Sequence, residues 1–196
     1  ICRQILRYMP AELVVTSNSE HEAQAALKDL STEAPSYCKL MAASGNIFVR
    51  WSLKDTRLAD IVASDENLQT LVDDNLNELT EEIIAESTLN RLIMQYRPEI
   101  IIDCINTATA LSYQNIYHMY SVMHDIPEHI DNKSVLYRLL STTSIPPLIR
   151  HVQILYESMK QAGTRLYLKI GTTGTGGMGF NIPFTHGEEN PSRLLM

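Results

Sequence analysis

Glu99-Ile100-Ile101-Ile102-Asp103-Cys104-Ile105 carries four isoleucines in seven positions. β-Branched residues of this kind favour an extended chain. Apolar side chains on both faces suit a strand covered on both sides, which is the habit of parallel sheets. Upstream, Arg97-Pro98 ends a helical pattern running from Leu68 to Tyr96. Downstream, Asn106-Thr107-Ala108-Thr109 turns into a helix that runs to about Met123. The alternation extends outward in both directions. Towards the N-terminus lie a strand at Ile47-Phe48-Val49-Arg50-Trp51, a helix from Glu20 to Leu30 capped by Ser19, a strand from Glu12 to Thr16, and a helix from Ile1 to Met9. Glu22 stands at the capping-box position of the Ser19 helix. Towards the C-terminus, a helix from Leu148 to Gln161 ends at Ala162-Gly163, and Arg165 to Ile170 forms the last strand. Strands alternating with helices predict a Rossmann-type doubly wound parallel sheet in a single α/β domain over residues 1–196.

Bulk properties exclude several classes. The 196 residues are 44% hydrophobic and 20% charged, with a net charge of -7. Such a chain suits a globular protein and argues against nucleic acid as a main partner, which would call for a basic surface. Cys2, Cys38 and Cys104 are too far apart for a C-x-x-C motif, so neither a disulfide scaffold nor a zinc site is expected, and the cytoplasm is the expected location. No apolar run reaches membrane-spanning length. The six histidines show no metal-ligand spacing, and the acidic helix around Asp73, Asp74, Glu81 and Glu82 reads as a solvated face. The chain opens in what reads as mid-helix and closes on Leu194-Leu195-Met196, so both ends read as truncated.

Gly174, Gly176 and Gly179 spell G-x-G-x-x-G directly after the last strand. A phosphate-holding loop of that pattern must open a helix, whose first N–H groups face the anion. Here Phe180-Asn181-Ile182-Pro183 follows, with no helical period. Gly171 to Gly179 therefore reads as a ligand-side loop at the carboxyl end of a strand, where doubly wound folds bind their ligands.

In order and spacing the chain resembles an extended, epimerase-like short-chain dehydrogenase/reductase. Ile1-Cys2-Arg3-Gln4-Ile5-Leu6 is similar to the helix after that family's glycine-rich loop. Trp51-Ser52-Leu53-Lys54-Asp55 is similar to its G-D-[LV]-x-D, Pro98 to Thr109 to its fourth strand and N-x-A turn, and His151 to Thr173 to the helix and strand before its catalytic Ser/Thr. The resemblance implies a fragment without the family's first strand and dinucleotide loop, and without its Tyr-x-x-x-Lys. In the sheet order 3-2-1-4-5-6 the missing strand is the central one, so the strands on either side of its slot would lack a partner.

The resemblance also implies an NAD(P)-binding oxidoreductase or epimerase that transfers hydride at a hydroxyl or carbonyl of a small-molecule substrate. Thr172 or Thr173 would hydrogen-bond the substrate oxygen. Ser17 and Asn18 would meet the cofactor ribose, Ser52 and Leu53 its adenine, and Asn106, Thr107, Ala108 and Thr109 its nicotinamide half. With no acid at positions 16–18, the cofactor choice between NAD and NADP tilts towards NADP. A non-catalytic NAD(P)-binding sensor of the same fold is the alternative, and homo-oligomerisation is left open.

Overall fold

A computed structural model of the chain describes residues 1–105 and 145–170, and the element labels number what lies within them. Helix α1 (Cys2–Leu6) leads into strand β1 (Glu12–Ser17), helix α2 (Glu20–Ser31) and strand β2 (Lys39–Ser44). A 3-10 turn (Trp51–Leu53) precedes helices α3 (Leu58–Ala63), α4 (Asp65–Leu76), α5 (Glu81–Glu86) and α6 (Thr88–Tyr96). Strand β3 (Ile100–Asp103), helix α7 (Ile145–Ala162) and strand β4 (Leu166–Lys169) complete the description. The fold is mixed α/β, with two separate parallel pairs, β1 with β2 and β3 with β4.

Each pair buries one face. Leu13 sits opposite Leu40 in the β1–β2 register. Both pack with Val15 against Leu6, Leu30 and Cys38, so α1 and α2 cover that face. In the second pair Ile101 sits opposite Tyr167, and both pack against Leu89 and Ile93 of α6 and Ile154 and Leu155 of α7. The alternate residues point the other way, because side chains on a strand switch faces at each step. Ile100, Leu166 and Leu168 accordingly remain 51%, 43% and 42% exposed. Among the described residues, helices pack on one side of the β3–β4 pair.

The strand expected at Ile47–Trp51 is not one. Residues 45–50 form a loop pinned at several points, and Arg50 makes a single antiparallel bridge to Ser87. The Asn46 N–H donates to the Lys54 carbonyl (2.8 Å), the Phe48 N–H to Asn46 Oδ1 (3.0 Å), and the Thr88 N–H to the Val49 carbonyl (3.1 Å). Ile47 packs into the α6–α7 core, whereas Val49 enters a third core with Leu53, Ile61 and Leu71. In a strand Ile47 and Val49 would share one face, whereas here they enter different cores. The second strand is instead Lys39–Ser44, whose Lys-Leu-Met-Ala-Ala-Ser has little intrinsic β preference and is held by its ladder to β1.

The helix expected from Leu68 to Tyr96 is three helices. Thr80 accepts a hydrogen bond from the Ile83 N–H, and Ser87 accepts one from the Asn90 N–H, so each caps a new start. Helix α6 is fastened to α7 by polar groups. Asn90 donates to Ser158 Oγ at 3.0 Å and to Gln161 Oε1 at 3.2 Å. Ser158 is wholly buried and donates in turn to the Ile154 carbonyl (2.6 Å).

Candidate functional site

The carboxyl ends of the parallel strands gather the polar groups with the clearest potential for binding. At the end of β1, the Ser17 hydroxyl donates to the Glu22 carboxylate at 2.6 Å. The Ser19 cap forms as expected and accepts from the Glu22 N–H. The Glu22 side chain does not complete the capping box, because it turns to Ser17. A carboxylate thus stands at the end of β1 although residues 16–18 contain none. Asn18 beside it is exposed.

Gly45 follows β2, and its N–H donates to the Ser17 carbonyl at 3.0 Å, which draws the two strand ends together. Its φ is +139°, a region that disfavours side chains. A Cβ there would lie 3.1 Å from Lys54 Cβ and 3.3 Å from Thr88 Cγ2. Both the turn and the close approach therefore require glycine. Gly45-Asn46-Ile47 stands where strand β2 ends, which is the place expected for Trp51-Ser52-Leu53. Beside it opens a cleft of ≈ 330 Å³, lined by residues that include Glu20, Gln24, Ser44, Trp51, Lys54 and Tyr96.

Ser52 and Leu53 lie away from the strand end. Ser52 is exposed on the 3-10 turn. Leu53 is 9% exposed and packed with Val49, Ile61 and Leu71, which leaves it no face to offer a base. Asn106, Thr107, Ala108, Thr109, Thr172 and Thr173, together with the glycine loop 171–179, lie outside the described residues.

A second cluster sits at the ends of β3 and β4. The Asp103 carboxylate accepts from Tyr167 Oη (2.7 Å), from Lys169 Nζ (2.7 Å) and from the Ile105 N–H (2.8 Å). Burial alone would raise the Asp103 pKa, but the bonds from Lys169, Tyr167 and Ile105 outweigh it and hold the carboxyl below its usual range. Burial and the bond to Asp103 push the Tyr167 phenol well up, so it stays protonated as a donor. Nothing in the sequence pattern marked this cluster, because its members lie about 64 residues apart and meet only through the β3–β4 register.

The sign of the Asp103 shift sets a pH dependence. A carboxyl with a depressed folded-state pKa contributes stability above its unfolded pKa of about 4 and loses it as pH falls through the folded value. Asp103→Asn is expected to be about 2 kcal/mol less stable than wild type at pH 7, with the difference shrinking below pH about 4. Urea melts at pH 7 and pH 3 check this; an equal gap at both would contradict it.

No helix among the described residues is long and apolar enough to cross a membrane. No protein family, curated protein or solved structure matches this chain.

Proposed function

We propose that the chain is the dinucleotide-binding part of an oxidoreductase or epimerase, with the adenosine end of the cofactor lying over the carboxyl ends of β1 and β2. The pairing pattern carries this reading. In the order 3-2-1-4-5-6, the second strand pairs with the third and the fourth with the fifth, while the first separates the two pairs. Among the described residues, pairs β1–β2 and β3–β4 are both parallel with no β2–β3 ladder, which follows that pattern for strands two to five.

Three features at the first pair suit a nucleotide. Gly45 lets backbone close up at the strand ends, Ser17 and Glu22 offer acceptors for a ribose diol, and the adjoining cleft leaves room for a base. Asn46, rather than Ser52, would face the adenine. Glu22 changes the cofactor preference. A carboxylate accepts a hydrogen bond from a ribose 2′-hydroxyl and repels a 2′-phosphate, so NAD is favoured over NADP. When bound, the nicotinamide supplies the hydride acceptor or donor. Thr172 or Thr173 would orient the substrate oxygen by a hydroxyl hydrogen bond.

Titration of the chain with NAD, NADP and ADP-ribose, followed by calorimetry and by the emission of its single tryptophan, Trp51, tests the proposal. NAD and ADP-ribose should bind alike, and NADP about tenfold more weakly. Glu22→Gln should remove most of that tenfold gap, since one charge contact at this range is worth about 1 kcal/mol. No saturable response to any of the three, or an NAD preference unchanged in Glu22→Gln, would sink the assignment.

A further inference from the structure

A second cavity lies apart from the strand ends, enclosed by the 47–50 loop, α4, the start of α6 and the first turns of α7. Its volume is ≈ 20 Å³, room for about one or two water-sized occupants. Arg50, Asp74, Ser87, Arg150 and His151 supply its polar wall, with Phe48 stacked at a tilt on His151 at 4.8 Å.

The charges in this wall do not balance. Arg50 holds Asp74 bidentately, with Nη2 to Oδ1 at 2.6 Å and Nε to Oδ2 at 3.0 Å. Arg150 is 7% exposed, and its Nη2 donates to the Asn77 carbonyl. Its Nε and Nη1 are buried and make no hydrogen bond among the described residues, nor does Nδ1 of His151, also 7% exposed. Asp74 is the carboxylate whose charge acts on Arg150, and both its oxygens already serve Arg50. Glu82 and Glu86 also act on Arg50, so among the described residues Arg150 is the cation without a carboxylate of its own. Each buried N–H without an acceptor is costly, and a buried charge without a counter-charge more so.

We propose that this cavity binds a chloride-sized monovalent anion, held by an unmatched N–H of Arg150 and by the Nδ1–H of His151. A guanidinium donates charge-assisted hydrogen bonds, which suit an anionic acceptor. A water molecule could accept these bonds but would bring Arg150 no counter-charge. The volume excludes anions of sulfate size and larger organic acids. The site uses none of the residues assigned to the nucleotide, so it stands or falls independently of that assignment.

The test is thermal melting of the whole chain in sodium chloride, sodium bromide and sodium gluconate at one fixed ionic strength. Chloride and bromide should raise Tm saturably over gluconate, by about 3–5 °C at a concentration near ten times Kd. Arg150→Met should abolish the difference. His151→Phe, which keeps an aromatic ring against Phe48 and removes the donor, should reduce it and serves if Arg150→Met does not fold. Crystals grown in bromide should show an anomalous peak within hydrogen-bond distance of Arg150. Equal melting in all three salts, a salt effect that survives both substitutions, or a water alone at the site overturns the proposal.

Discussion

Asp74→Ala is expected to lower stability by about 3 kcal/mol, near the lower end of the range for breaking a buried ion pair. The carboxylate is 16% exposed and its Arg50 partner 24%, so some screening remains. Without Asp74, the Arg50 guanidinium loses both hydrogen bonds, and Arg150 loses the one opposing charge that acts on it. The bond from Arg50 to Asp74 is also the main reason the Arg50 pKa is raised. The damage should reach beyond the pair, because Arg50 sits on the loop whose neighbour Val49 enters one core while Ile47 enters another. Urea denaturation of wild type, Asp74→Ala, Arg50→Met and the double variant measures the coupling. The double variant should recover stability over Asp74→Ala, since it removes the stranded cation as well. A loss below about 1 kcal/mol in Asp74→Ala would mean that the pair is solvated and contributes little.

Ile61→Ala should cost about 3 kcal/mol, within the range for deleting a buried aliphatic side chain. Ile61 is 0% exposed and lies at the centre of Val49, Leu53 and Leu71, with Leu58 and Val62 packed around them. This core rests on short elements, the 3-10 turn, α3 and α4, whose helical stability comes from packing rather than length. Ile61→Val, which removes one methyl group, should cost about 1 kcal/mol. At about 2–4 °C per kcal/mol for a chain of this size, the two variants separate clearly in a thermal scan. A loss in Ile61→Ala no larger than that in Ile61→Val would show that the site collapses to fill the void.

The alternation of strand and helix was legible because local chemistry decides it. The β-branched runs before Ser17 and Asp103 and the Leu-Tyr-Leu-Lys of β4 became strands close to their expected bounds. Ser19 capped α2, and Gly163, with φ +77°, stands just past the end of α7. The breaks at Thr80 and Ser87 were also available as cap signals, but the continuous apolar period from 68 to 96 masked them. Lys39–Ser44 was not legible, because its strand state depends on a partner 27 residues away. Ile47–Trp51 misled for the opposite reason, since a loop can bury β-branched and aromatic side chains in its neighbouring cores without forming a ladder.

The candidate site divides in the same way. Ser17 and Asn18 were reached from the sequence because they end a recognisable strand. Glu22, Gly45 and Asn46 gained their places only when α2 folded back onto β1 and the Gly45 N–H closed onto Ser17. Leu53 was lost to the core by packing that no local pattern specifies. The sequence by itself determined the strands β1, β3 and β4 and the start of α2, because these follow from side-chain branching and capping within a few residues. Only the tertiary structure decided which strands pair, that Asp103 meets Tyr167 and Lys169, and that Arg150 is buried with two N–H groups unmatched. Those outcomes depend on contacts between residues tens of positions apart, where registry and burial rather than local preference set the energy.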